Sequence, residues 1–119
     1  MTDTYGTIGK TTIAPEVLLG IARLTTLGTQ GVSRLGSTPG NVNRLLKRDP
    51  NHGVIISVEN NTVYADIYVV LENEVNIREV CRNIQKQIAR AVSEMVGMEV
   101  GRINIHVDDI DYGPRQEIL

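Results

Sequence analysis

NIREVCRNIQKQIARAVSEMV, residues 76–96, is the stretch whose reading decides the fold. Ile77, Val80, Cys81, Ile84, Ile88, Ala91, Val92 and Met95 recur at the helical period. That pattern predicts a long amphipathic helix over 77–96 with one apolar stripe. Asn76 with Glu79 three residues on resembles a capping box, with Asn in the usual Ser or Thr place. Gly97 is placed to stop the helix.

Immediately upstream, TVYADIYVVL (62–71) alternates with period two. Val63, Ala65, Ile67, Val69 and Leu71 share one face; Thr62, Tyr64, Asp66 and Tyr68 share the other. A strand with a core face and a polar face follows. VIISVE (54–59) precedes it across Asn60-Asn61, and Asn tolerates the positive φ of a tight hairpin. Downstream, RINIHVDDI (102–110) alternates again, with Ile103, Ile105 and Val107 against Arg102, Asn104, His106 and Asp108. Towards the N-terminus, residues 6–13 (GTIGKTTI) are expected as a first strand. Residues 15–27 are expected as a helix, with Pro15 at its first position and Val17, Leu18, Ile21, Leu24 and Leu27 at helical spacing. GVSRL (31–35) reads as a short strand, NVNRLLKR (41–48) as a short helix bearing Arg44, Lys47 and Arg48, and DPNHG (49–53) as a turn. The expected order is β-α-β-α-β-β-α-β. This is a two-layer α+β domain over 6–112, a small mixed sheet with helices packed on one face, between flexible tails at 1–5 and 113–119.

Composition narrows the function. The chain has 119 residues, one domain's worth, with 41% hydrophobic and 22% charged residues. It has four Tyr but no Phe and no Trp, so the core is aliphatic and the stacking platforms of single-strand nucleic-acid binders are lacking. A net charge of -2 argues against a binder of phosphate backbones. One cysteine, Cys81, allows no intramolecular disulfide and no multi-Cys metal site. Neither the segment MTDTYGTIGK nor any other run is apolar over a signal or membrane-span length. The expected location is cytoplasmic.

His106 and Asp108 are neighbours on one strand face, about 7 Å apart. A metal or acid–base site there needs a further ligand, from Asp66 on the other strand or from His52. Strand alternation already accounts for the polar residues without chemistry. Cys81 lies on the apolar stripe, where a free Cys acts as a small hydrophobe. No phosphate loop, dinucleotide fingerprint or nucleophile elbow occurs. Arg78, Arg82, Lys86 and Arg90 follow each other at intervals of four. Like charges at this spacing repel mildly. The row is either a solvated face or a docking stripe for an acidic protein, anionic headgroups or RNA.

The segment VYADIYVVLENEVNIREVCRNIQKQIARAVSEMVGMEVGRINIHVDDI (63–110) resembles the signature half of the bacterial alkaline shock protein family, also called the envelope stress response or Gls-type general stress family. The resemblance lies in DIYVVLE, then VNI and EV opening the long helix, then EM, G, EV and INIHV in order. PEVLLGIA (15–22) and the GV at 31–32 extend it. The resemblance implies a small cytosolic α+β protein with no catalytic activity and no cofactor. It implies a role in cell-envelope homeostasis, exercised through protein contacts, with some members held at the membrane by a small anchor protein and others associated with control of fatty-acid synthesis. A homo-oligomer is expected. The expected contact surfaces are the row Arg78, Arg82, Lys86 and Arg90 and the sheet face Tyr64, Asp66, Tyr68, Asn104 and His106. The alternatives are an RNA-binding or regulatory module, disfavoured by charge and the lack of a GxxG clamp, and a metal-dependent site at His106 and Asp108.

Overall fold

The computed structural model describes residues 8–39 and 53–114. Its sheet is organised by one strand. β3 (Thr62–Glu72) has β4 (Glu99–Asp111) along the whole of one edge, in parallel. Its other edge is shared. β2 (Val54–Glu59) pairs antiparallel with the first half of β3, and β1 (Val32–Leu35) pairs antiparallel with the second. The two short strands meet at Tyr68, whose N–H donates to Gly53 O (2.8 Å) and whose carbonyl accepts from Gly36 N–H (2.6 Å).

The β2–β3 hairpin turns through Asn60 and Asn61 at φ 51° and 61°, the double positive φ of a two-residue turn that matches strand twist. The helices α1 (Pro15–Leu27) and α2 (Ile77–Val96) lie on one face of the sheet, packed against each other. α1 covers β1 and β2, and α2 covers β4. The long helix has the predicted ends. Asn76 Oδ1 accepts from Glu79 N–H at 3.0 Å, and Gly97 closes it at φ 69° with its N–H on Ser93 O. The core is the aliphatic layer between: Val63, Ala65, Ile67, Val69 and Leu71 of β3 against Val80, Ile84, Ile88 and Val92 of α2 and Leu18, Ile21 and Ala22 of α1.

Four expectations need correction or placing. Residues 8–14 form no strand, so the order among the described residues is α-β-β-β-α-β. Their apolar residues Ile8 and Ile13 are exposed and offer no face to bury. The expected helix over 41–48 lies outside the described residues, as do Arg44, Lys47, Arg48 and His52. The expected stripe on α1 is wrong in part. Val17, Leu24 and Leu27 are exposed, and Ala22 and Thr26 take core places. Thr26 can do so because its hydroxyl donates to Ala22 O at 2.7 Å, which removes the penalty for burying it. Val17 stands one residue, about 100° of helix, away from the buried Leu18. On α2 the stripe holds in its middle, but Ile77 and Met95 at its ends are exposed.

Candidate interaction surfaces

The outer face of the sheet carries the first candidate. The parallel register sets Asp66 opposite Asn104 and Tyr68 opposite His106, so residues from both strands meet. His106 Nε2 lies 2.9 Å from Asp66 Oδ1, and Asn104 Nδ2 donates to the same oxygen at 3.1 Å. The Tyr68 and His106 rings stack at 4.4 Å with 14° between planes. The Arg102 guanidinium stands 5.8 Å from the centre of the Tyr64 ring, within cation–π range. All five expected sheet-face residues thus fall on one surface; Asp66, Tyr68, Asn104 and His106 form a bonded cluster, and Tyr64 stands beside them under Arg102.

Burial lifts the Tyr68 phenol above its ordinary pKa, with the Asp66 and Asp108 charges adding to the rise. At the far end of β4 the Ser33 hydroxyl, 2.6 Å from Asp111, holds that carboxylate below its ordinary value, helped by the Gly113 N–H and by Arg34. Beside the cluster lies an open cavity of about 330 Å³, lined by Ser57, Glu59, Tyr64, Asp66, Arg102 and Asn104. Its one cation faces two acids, a balance that selects no strongly charged ligand. Among the described residues no three His, Cys, Asp or Glu side chains converge to hold a metal. Asp108, the residue paired with His106 in that reading, instead accepts a weak bond from Ser37 N–H at 3.3 Å. Cys81 is half-buried on α2, and burial raises its thiol pKa, the opposite of an activated nucleophile.

The second candidate is on the other side of the molecule. Arg78, Arg82, Lys86 and Arg90 all lie exposed at the surface. Steps of four residues overshoot a full turn by about 40° each, so the row winds across the outer surface of α2. Arg90 is paired with Glu94 at 3.2 Å. Arg78, Arg82 and Lys86 have no ion pair among the described residues. The helix layer separates this row from the sheet-face cluster, so the two surfaces cannot belong to one small interface.

Sequence reasoning missed an apolar surface. Val17, Leu24 and Leu27 stand exposed on α1. Near the start of the same helix a groove of about 390 Å³ runs between Ile13, Pro15, Leu18, Val58, Val96 and Met98. The signal was present in α1, which carries more large apolar residues than one stripe can bury.

Residues 3–112 match the model of the alkaline shock protein 23 family, described as having a cell envelope-related function. The chain is 35% identical over 111 residues to Spy1535, an uncharacterized protein of Streptococcus pyogenes, covering 92% of this chain and 84% of that one. It is 28% identical over 117 residues to YqhY, an uncharacterized protein of Bacillus subtilis, covering 97% and 85%. Among solved structures it is similar to a zinc form of the MamM CTD, with a TM-score of 0.57 at 9% identity, over 85% of this chain and 91% of that one. At that identity the likeness concerns the fold alone.

Proposed function

The chain belongs to the alkaline shock protein 23 family, a family with a cell envelope-related function, and from that premise we propose that it works as a non-catalytic docking module in cell-envelope homeostasis. Its partner is an acidic segment of a small membrane-anchor protein, gripped by the outer surface of α2. The observation that carries this reading is the set of three surface cations, Arg78, Arg82 and Lys86, with no ion pair among the described residues to neutralise them. Like charges four residues apart cost a helix about 0.2–0.5 kcal/mol per pair. An acidic partner converts that repulsion into attraction and speeds encounter. The polar groups of the sheet-face cluster, by contrast, bond largely to one another and leave less to offer a partner. No helix of the described residues is long and apolar enough to cross a membrane. Attachment to the envelope in this reading runs through the partner, with this chain on the cytoplasmic side.

The test is crosslinked co-purification from membrane and soluble fractions of the native cell. Wild type is run beside the variant Arg78→Glu, Arg82→Glu, Lys86→Glu, Arg90→Glu. Recovery of a small membrane protein by wild type and its loss in the variant is expected. If the folded variant keeps every partner of the wild type, the α2 surface is not the dock. Recovery of RNA from the soluble fraction with no membrane protein would replace this reading with the nucleic-acid one.

A further inference from the structure

β4 has two edges, and only one of them is used. Among the described residues no strand pairs with its outer edge. A 13-residue strand with a row of open N–H and C=O groups is a template for strand addition. We propose that the outer edge of β4 pairs antiparallel with the same edge of a second copy of this chain, about a two-fold axis at Ile105.

Three features of β4 converge on that axis. The first is which residues face outward. Tyr68 turns both its backbone groups towards β1 and β2. By alternation Ala65, Ile67 and Val69 turn theirs towards β4. In a parallel ladder, the residues opposite these on the next strand turn theirs away. Those are Ile103, Ile105 and Val107. The bond from Gln85 Nε2 to Ile103 O, 2.9 Å long and coming from α2, agrees with this orientation. A residue on a two-fold axis can exchange both backbone hydrogen bonds with its own copy only if its groups point outward, as those of Ile105 do.

The second feature is the placing of irregularities. β4 slips register twice, between Val100 and Ile103 and between Val107 and Asp109. Reflected about Ile105, the second slip falls on Ile103 to Gly101, within the first. The core-side residues of the strand, Val100, Ile103, Ile105, Val107 and Ile110, are also symmetric about it. In the dimer Ile103 stands opposite the second copy's Val107, and Val100 opposite its Ile110. Each irregular segment meets its own counterpart, so neither copy has to shift register. The central stretch gains about six backbone hydrogen bonds. Ile103, Ile105 and Val107 are only half-buried, whereas their neighbours Ile67 and Val69 on β3 are fully buried. A second copy would complete their burial.

The third feature is charge. The axis places Arg102 opposite the second copy's Asp108, twice by symmetry, and Asn104 opposite its His106. The one unfavourable pairing is at the ends, Glu99 opposite Asp111. Asp111 is already engaged by Ser33 and by Arg34 at 3.5 Å, which tempers the repulsion. Gln85 need not leave, because the Ile103 carbonyl has a second lone pair for the incoming Val107 N–H.

This inference concerns a surface the envelope-partner reading does not use, and each can fail without the other. Its test has two parts, both on the full chain. Sedimentation velocity across a micromolar-to-millimolar series should show a monomer–dimer equilibrium. Arg102→Asp and Asp108→Arg should each weaken it on the order of tenfold, and the double swap should restore it. In a Cys81→Ser background, Asn104→Cys with His106→Cys should form an intermolecular disulfide on oxidation. The expected Cα separation is about 4.5 Å for such a pair. Each single cysteine variant should not crosslink, because like positions stand about 8 Å apart. A monomer throughout the series overturns the proposal. So does a dimer that the charge swap fails to restore and the cysteine pair fails to lock, since that dimer uses another surface.

Discussion

Replacing Gly53 by Ala probes the point where two strands share one edge of β3. Gly53 sits at φ 67°, a conformation that costs a residue with a Cβ about 1–2 kcal/mol. Its added Cβ would stand 2.8 Å from Gly36 O and 2.9 Å from Tyr68 O. Both are backbone atoms, and both lie in the junction: Tyr68 N–H bonds to Gly53 O, and Gly36 N–H to Tyr68 O. The Tyr68 oxygen cannot yield without stretching its bond from Gly36 N–H. Overpacking of this kind adds about 1–3 kcal/mol, so Gly53→Ala should cost about 2–5 kcal/mol in all. Gly97 supplies the control. Its φ is 69°, nearly the same, but its added Cβ meets nothing within 4 Å. Gly97→Ala should therefore cost only about 1–2 kcal/mol. Urea unfolding of the two variants beside wild type, compared at equal slope, gives the difference directly. If Gly53→Ala is no more destabilising than Gly97→Ala, the two half-strands do not meet as described.

The remaining predictions address the core, a cap and the sheet face. Ile84 is fully buried between α2 and the sheet, and Ile84→Ala should cost about 2–5 kcal/mol; Leu24→Ala on the exposed side of α1 should stay within about 0.5 kcal/mol, and equal losses would mean the core is misassigned. Asn76→Ala removes the bond to Glu79 N–H and should cost about 1 kcal/mol, with Asn76→Asp restoring most of it by thermal or urea unfolding. Because the fold favours the protonated Tyr68 phenol, its stabilising contribution is complete below the ordinary tyrosine pKa and is lost as pH rises through the higher folded value. Ultraviolet titration should show one tyrosine ionising late; Tyr68→Phe should remove that step and Asp66→Asn should move it to lower pH, while an unchanged curve in both would contradict the assignment.

The parts of the fold that the sequence predicted are those where local and tertiary preferences agree. In α2 the apolar period, the Asn76 cap and Gly97 all point to the same helix, and it spans Ile77–Val96 as expected. In β3 one alternating face is apolar throughout, and the strand and its Asn60-Asn61 hairpin follow. α1 was harder for a physical reason. Its apolar residues fill two adjacent faces, so periodicity alone does not say which is buried; Ala22 and a back-bonded Thr26 won places over Val17 and Leu24 because small residues let α1 approach its neighbours closely. Residues 6–13 resemble a strand only through β-branched composition. A strand on this sheet also needs an apolar face to bury, and Ile8 and Ile13 stand exposed.

The candidate surfaces divide along the same line. Which residues share a face was legible from period two on β3 and β4 and from steps of four on α2. Which of them touch was not, because contact across β3 and β4 depends on the parallel register and its two slips. A one-residue change of that register would separate His106 from Asp66 and turn its ring to the core face. The register also gives β4 its symmetry about Ile105. Counting along the sequence does not reveal that symmetry, because the slips displace Val100 and Ile110 from the simple alternation that Ile103, Ile105 and Val107 follow. The two slips that hid the symmetry are therefore what a matching second strand would have to share, and another copy of β4 running the opposite way carries its own slips close to those positions.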